Sequence, residues 1–384
     1  MTTVGSCAST VAGSQRATRA TIHLDRLAGN IRAIRGALAP HVRLLAVVKA
    51  NAYGHGAVPC AKAALAAGAN WLSVACVDEG LELRTAGIAA PVLVLGYSAP
   101  AELSAALQAD MSLAVGTASQ ANAILRAARS IGKPARVHIK IDTGMSRFGF
   151  LPDQLDDVGE TLARTPEILI EGCFTHFARG EDDPGEATNC QLDRFRAAVN
   201  VLARRGLNPG LLHAANSAAT LVAPHTHLDM VRMGIAMYGY QPRPNMAPHV
   251  RLRPVMEVES CLARVETLPG GSRVGYGHTF VLPNARRIGL VPAGYADGIR
   301  RALSGSGYMV VSGARVPIVG AVSMDQCSVD VTEVGSAAEG DTVTIIGAQD
   351  GESVWADDLG TWANTIAYEI LCGISQRVPR RYDS

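Results

Sequence analysis

Between residues 43 and 234 eight short apolar runs recur at intervals: Arg43 to Val48, Trp71 to Ala75, Val92 to Leu95, Met111 to Val115, Val137 to Ile141, Ile168 to Thr175, Leu211 to Ala214 and Leu228 to Met233. Runs of about four to eight apolar residues read as buried strands. The stretches between them, such as Ala57 to Ala67, Ala118 to Arg129 and Gln191 to Arg204, are rich in the helix formers Ala, Leu, Arg and Gln. Strand and helix alternating in this way build successive βα units on a parallel sheet, and eight of them predict a (β/α)8 barrel of the TIM type.

Beyond about residue 250 the pattern changes. Runs such as Met256 to Val265, Arg286 to Val291, Met309 to Val311 and Thr342 to Ile346 are separated by Gly, Pro and Asp turns. This predicts a mainly antiparallel β domain. The 384 residues thus divide into an arm over 1–19, expected to be disordered, a barrel over 20–250 and a β domain over 251–384. The strand-like Ala20 to Leu24 could join the β domain.

Lys and Arg total 35 against 34 acidic residues, a net charge of +1. So balanced a chain has no broad field to draw nucleic acid or anionic lipid, and neither is expected as a partner. Eight cysteines lie at 7, 60, 76, 173, 190, 261, 327 and 372, none in a metal or disulfide spacing, as expected of reduced thiols. No run approaches the roughly 20 apolar residues needed to cross a bilayer. The first 19 residues also lack the apolar centre of a signal peptide. A cytoplasmic protein is expected.

In (β/α)8 barrels chemistry gathers at the C-terminal ends of the strands. Polar residues do gather there: Lys49 closes the first run, Arg147 follows the fifth, His176 ends the sixth, Ser217 follows the seventh, and Arg232 with Gly234 ends the eighth. Lys49 lies in Leu-Leu-Ala-Val-Val-Lys-Ala-Asn-Ala-Tyr-Gly-His-Gly. There a lysine either snorkels to water or is kept neutral by desolvation, ready to form a Schiff base with an aldehyde cofactor. Ser217 reads as the N-cap of a short helix over Ala218 to Val222. His225 and His227 have no acidic or Cys partner at zinc spacing, so no metal is expected. The stretch from Gly305 to Gly307 follows no phosphate-loop fingerprint and reads as a turn.

The Lys49 segment resembles the pyridoxal-phosphate-binding signature of the alanine racemase family. Motifs similar to the family's follow in order: Lys-Ile-Asp-Thr-Gly-Met-Ser-Arg-Phe-Gly from Lys140, Phe-Thr-His-Phe from Phe174, and His-Ala-Ala-Asn-Ser from His213. Val-Arg-Met-Gly-Ile-Ala-Met-Tyr-Gly from Val231, Val-Gly-Tyr-Gly from Val274, Gly-Tyr-Ala-Asp-Gly from Gly294 and Ser-Met-Asp-Gln from Ser323 complete the series. The likeness runs from about Thr21 to residue 380.

The resemblance implies the interconversion of L- and D-alanine on pyridoxal 5'-phosphate by two bases, Lys49 and Tyr276. The product would serve peptidoglycan synthesis, or the enzyme alanine breakdown. Asn216, Ser217, Gly234 and Ile235, with the hydroxyls of Tyr53 and Tyr368, would hold the cofactor phosphate. Arg232 would face the pyridine nitrogen. Since an arginine keeps its proton, the ring nitrogen would stay unprotonated and the ring would be a weaker electron sink. His176 would stack on the ring and bond toward Arg232. Arg147 would lie near the substrate carboxylate, and Lys140, a candidate for carbamylation, would position it, although an ion-pair cluster around Asp142 is an alternative for both. Met324 and Asp325 would meet the substrate, and Tyr295 with Tyr368 would line the entrance. A head-to-tail homodimer with sites shared between subunits completes the family picture.

Two rivals differ in a feature of the sequence. Barrel decarboxylases also use a first-strand lysine, but they pair a protonated ring nitrogen with a carboxylate, and this chain carries Arg232 and no Gly-Gly-Gly phosphate loop. Non-catalytic cofactor-binding barrels would match only the first 250 residues.

Overall fold

The computed structural model describes residues 16–180, 185–243 and 245–383. The chain forms two compact units, one of residues 24–253 and one of residues 1–23 with 254–384.

In the first unit eight parallel strands run in chain order: β2 (Arg43–Val47), β3 (Trp71–Val74), β4 (Val92–Val94), β5 (Ser112–Val115), β6 (Ala135–Lys140), β7 (Ile168–Phe174), β8 (Leu211–His213) and β9 (Met230–Met233). Each pairs with the next from β2 to β8, and β9 returns to pair with β2. Between β8 and β9 the ring is joined by Asp229 N to Leu212 O at 3.0 Å, Arg232 N to Ala215 O at 3.0 Å and the Asp229 carboxylate on Leu212 N at 2.8 Å. Leu44, Leu45, Ala46, Val92, Leu93 and Val94 are completely buried. Strands covered on both faces read as continuous apolar runs, which is why these segments stood out in the sequence. The helix Ala118–Ile131 shows how the outer layer is bounded. Thr117 accepts from Gln120 N at its start and Gly132, at φ 66°, ends it in a left-handed cap.

The second unit is mostly antiparallel. Its main sheet runs Arg264–Leu268, Arg286–Val291, Cys327–Asp330, Ala314–Val319, Tyr308–Val311, Thr342–Gln349, Met256–Cys261, β1 (Arg19–His23) and Arg380–Asp383. The last pair is parallel. A short ribbon of Arg273–Val274 with Phe280–Val281 stands apart. Alternation sets the buried face, with Met256, Val258 and Ser260 inward and their neighbours half-exposed.

Two domain limits are corrected. Residues 20–23 are not barrel: Ala20 and Ile22 are buried as part of β1, which pairs with Val258 and Met256, so the barrel unit begins at Leu24 and ends at Arg253. The arm assigned to 1–19 falls largely outside the described residues. Within its last part Arg16 reaches Asp297 at 2.7 Å and Thr18 bonds Ser260 at 2.9 Å, so these residues are anchored rather than disordered. Among the described residues no helix is long and apolar enough to cross a membrane.

Candidate active site

Lys49 lies two residues beyond β2 and is half-buried. Directly after it Ala50, Asn51, Ala52 and Tyr53 all adopt φ between 52° and 54°. A left-handed turn costs about 1–2 kcal/mol for each residue with a Cβ, so other contacts must hold it. Ala52 N donates to Val48 O at 2.8 Å, Gly54 N to Ala50 O at 3.0 Å, and Ala57 N to Asn51 Oδ1 at 2.8 Å. Glu79 adds a tie from the next βα unit, its carboxylate accepting Ala50 N at 2.6 Å and Ala75 N at 2.7 Å. In the sequence Glu79 is one more acid in the first turn of the helix Val77–Thr85, a place any helix favours, and nothing marked it.

The turn delivers Tyr53, 8% exposed, to a cradle formed by Ser217 and Gly234. A Cβ on Gly234 would lie 2.7 Å from Tyr53 Oη and 3.8 Å from Ser217 Oγ. Glycine is what lets the phenol come so close to the backbone. Ser217 Oγ accepts Gly234 N at 2.9 Å and Ala236 N at 3.4 Å. Ser217 is therefore not the helix cap expected. It is the first residue of the helix Ser217–Val222, and Asn216 is the cap, its Oδ1 accepting Ala219 N at 3.1 Å. Ile235, fully buried, follows Gly234 in the same turn.

Arg232 is the penultimate residue of β9 and is 4% exposed. Nη2 meets Thr175 O at 2.8 Å, Ala214 O at 2.9 Å and His176 Nδ1 at 3.0 Å, while Nη1 meets His213 O at 3.1 Å and His213 Nδ1 at 3.2 Å. Among the described residues nothing accepts from Nε, so that N–H remains for a ligand. The guanidinium lies over the Phe174 ring at 5.5 Å. Burial brings its pKa down to about 9, still charged at neutral pH. Burial first, and then Arg232, holds His176 well below its ordinary value, so its ring is neutral.

Lys140 ends β6 and is 5% exposed, with Nζ donating to Ile141 O at 2.8 Å. Burial, helped by Arg232 and Arg147, lowers its pKa to about 8. The alternative of an ion-pair cluster is not what forms. Asp142 instead accepts four backbone amides, Gly144, Met145 and Ser146 on Oδ1 and Arg147 on Oδ2, at 2.9–3.1 Å. Those bonds hold its carboxyl low although burial opposes them. The Arg147 side chain is exposed and makes no ion pair among the described residues.

The remaining expected residues belong to the β domain. Tyr276 starts a short turn between Gly275 and Gly277, at φ 72° and 71°, and is 74% exposed. Met324 and Tyr295 are joined through their backbones, Tyr295 N to Ser323 O and Ala296 N to Met324 O, both 2.9 Å. Gly294 makes this possible, because a Cβ there would fall 2.4 Å from Met324 O. Asp325 pairs with Arg377 at 2.8 Å, and Tyr368 sits in the helix Ala367–Gly373. His225 and His227 bond Asn189 Oδ1 at 2.8 Å and Thr220 O at 2.9 Å. Two buried residues had no assigned role in the sequence: His213, although it opens a quoted motif, and His138, whose ring lies 2.9 Å from it.

Comparison with known proteins agrees with this arrangement. The family model for the alanine racemase N-terminal domain matches residues 22–242, and that for the C-terminal domain matches 255–382. An alanine racemase of Symbiobacterium thermophilum is 44% identical over 367 residues, 96% of this chain and 97% of that one, and one of Nostoc is 41% identical over 94% of each. Among solved structures, the alanine racemase of a D-cycloserine-producing Streptomyces lavendulae superposes with a TM-score of 0.93 at 39% identity, covering 97% of this chain and 98% of its own. The Bacillus anthracis alanine racemase with bound L-Ala-P gives 0.92 at 36%, covering 97% and 96%. The eight-stranded barrel, the β domain and sequence identity along nearly the whole length agree, and the chain belongs to the alanine racemase family.

Proposed function

We propose that the protein interconverts L- and D-alanine, using pyridoxal phosphate bound at the C-terminal end of the barrel. The observation that carries this is the pairing of an anion cradle with a buried donor that is charged at neutral pH. Tyr53 Oη and Ser217 Oγ converge where a side chain on Gly234 would stand, at 2.7 and 3.8 Å, and the Gly234 amide holds Ser217 Oγ in place. Arg232 keeps one N–H uncommitted after both terminal nitrogens are bonded. The first suits a phosphate, with Asn216, Ile235 and Tyr368 assigned beside it. The second suits an unprotonated pyridine nitrogen, which needs a donor. When bound, the cofactor delocalises the electron pair left as the α-proton departs.

Lys49 is assigned to covalent attachment and to proton transfer at Nζ on one face of the substrate. Tyr276 is assigned to proton transfer at Oη on the other, since inversion needs a donor and an acceptor on opposite faces. His176, neutral beside Arg232, packs the ring. Arg147 and the Met324 backbone hold the carboxylate, with Asp325 beside them, and Tyr295 and Tyr368 narrow the entrance to small side chains. Lys140, an amine with its pKa near 8 among arginines, is a target for carbamylation, which would give Arg147 an anionic partner. The described cysteines are all free, in keeping with a cytoplasmic setting.

We further assign Tyr276 to the site of a second subunit in a head-to-tail homodimer. The exposure of Tyr276, Met324 and Tyr295 in the single chain supports this reading. The test is chiral analysis of product from purified, cofactor-loaded protein supplied with L-alanine. Release of carbon dioxide, or no change, overturns the activity. Lys49→Ala and Tyr276→Phe protein, each inactive, should regain activity on mixing under subunit exchange. A mixture that exchanges and stays inactive overturns the shared site.

A further inference from the structure

Arg232 has no carboxylate partner among the described residues, yet its buried charge connects to one through two histidines. His213 ends β8, and His138 lies in β6 level with Gly172, two residues toward the N-terminal ends of the strands from the Lys140 and Phe174 pair. Both rings are completely buried. Phe174 stacks on His213, nearly parallel at 4.8 Å, and the Trp71 ring meets His138 edge-on at 5.4 Å, so both planes are set.

The protons in this row can be assigned from the one member that only donates. A guanidinium has no acceptor, so His213 Nδ1, 3.2 Å from Arg232 Nη1, must accept. A neutral His213 then carries its proton on Nε2. That atom is 2.9 Å from His138 Nδ1, which must accept in turn, leaving the His138 proton on its own Nε2. His138 Nε2 has no hydrogen-bond partner and faces Glu171 Oε2 at 3.9 Å. Arg136 holds Glu171 Oε1 at 2.8 Å, and the Ser112 hydroxyl donates to Oε2, the oxygen that faces His138. The groups facing the two histidines are Arg232, Lys140 and Glu171. Burial outweighs Glu171, the one group that favours charge, and with Arg232 and Lys140 on its side keeps both rings neutral, His138 at about 4 and His213 well below its ordinary value. Gly172 makes the row possible, because a Cβ there would lie 2.4 Å from His138 Nδ1.

We propose that His138 is a positioning residue for Arg232: through His213 it forms a one-way donor line from the guanidinium toward Glu171, which fixes both tautomers and holds Arg232 with Nε turned to its ligand. Without an acceptor at position 138, the His213 Nε2–H is buried without a partner. The ring then gains only by turning about its Cβ–Cγ bond toward another acceptor, and this takes Nδ1 away from the guanidinium. The assignment of protons rests on the geometry alone, and the kinetic consequence rests on the proposed racemisation.

The test is nitrogen NMR of histidine-labelled protein, with and without cofactor, between pH 6 and 8. Wild-type His138 and His213 should both be neutral with the proton on Nε2. His138→Asn places an amide oxygen where Nδ1 was, so His213 should keep its tautomer and kcat should stay within about threefold. His138→Leu should shift the His213 nitrogen signals, because Nε2–H loses its acceptor and the ring moves off Arg232, and should lower kcat about tenfold, the size of one lost hydrogen bond, with the KM for alanine within about twofold because the row does not touch substrate. Glu171→Gln, at a half-buried site that tolerates an isostere, should move the His138 signals alone. The proposal is overturned if either wild-type ring is protonated or carries its proton on Nδ1, or if His213 is unmoved in His138→Leu. If that variant does not fold, the wild-type and His138→Asn spectra decide. Wild-type protein without racemase activity would refute the proposed function and leave the tautomer assignment to stand or fall on its spectra.

Discussion

The polar residues of the barrel interior and those on the β-domain loops are placed by different physical means. In the barrel, Arg232, Lys140, Ser217 and His213 are at most 5% exposed, and each is held by side-chain hydrogen bonds to named partners. In the β domain Tyr276, Met324 and Tyr295 are 74%, 53% and 44% exposed, and backbone geometry at Gly275, Gly277 and Gly294 sets where they stand. Burial shifts proton affinities in the first group, because low polarity penalises charge. The barrel groups are therefore fixed by one another, whereas the β-loop groups stand open to solvent.

The division is broken most directly at the two assigned bases. Lys49→Ala should abolish racemisation and any borohydride-reducible covalent cofactor. Tyr276→Phe should lower kcat by about 10²–10⁴-fold, the usual contribution of a positioned acid or base, and keep the cofactor covalently held. Loss of covalent cofactor in both variants would mean that the β-domain residue also builds the binding site.

Two glycines sharpen the contrast. Gly234→Ala places a Cβ 2.7 Å from Tyr53 Oη, and overpacking of that kind costs about 1–3 kcal/mol, so the cofactor Kd should rise roughly 10- to 100-fold. Gly294→Ala drives a Cβ into Met324 O and should raise the KM for alanine while leaving the cofactor Kd unchanged. Titration of both variants with pyridoxal phosphate, followed by absorbance, distinguishes them.

The two regions should also respond to pH with opposite sign. In the barrel, burial lowers the pKa of His138 from 6.5 to about 4, and it lowers His176 and His213 as well. Below pH 6.5 the unfolded chain takes up protons that the fold refuses, so stability falls as pH drops from 6.5 toward 4. From His138 alone the loss approaches roughly 3 kcal/mol. In the β domain, burial and then Asp358 raise Asp357 from 3.8 to about 6. Here the fold holds the proton more tightly, so stability is lost as pH rises from about 4 through 6. Asp357→Asn should accordingly raise Tm slightly at pH 8 and leave it unchanged at pH 4, as thermal melts at both values would show. A lower Tm at pH 8 would mean the carboxylate is stabilising where it stands.

Much of the candidate site was legible because its residues close the apolar runs that make the strands. Lys49, His176, Ser217, Arg232 and Gly234 could be picked out by position, since the C-terminal strand ends of a barrel are where side chains are free to act. Glu79, His138 and Glu171 gave no such signal. Glu79 sits where any helix welcomes an acid, and His138 and Glu171 lie inside strands, where a lone polar residue has no period to betray it. The cap was misplaced by one residue because Ser and Asn are both good caps, and only the fold shows that Ser217 Oγ is already committed to Gly234.

What the sequence determined alone was therefore the order of elements, the change of architecture near residue 250 and the residues at the barrel mouth. Each of these follows from local periodicity and from motifs contiguous in the chain. The tertiary structure decided the rest. It took β1 out of the barrel and into the β sheet through pairing with Met256–Cys261, a strand more than two hundred residues away. It set the left-handed turn that aims Tyr53, and it ordered the protons from Arg232 through His213 to His138. Those are relations between groups distant in sequence, and the direction of a hydrogen bond is defined only when donor and acceptor have been brought to face each other.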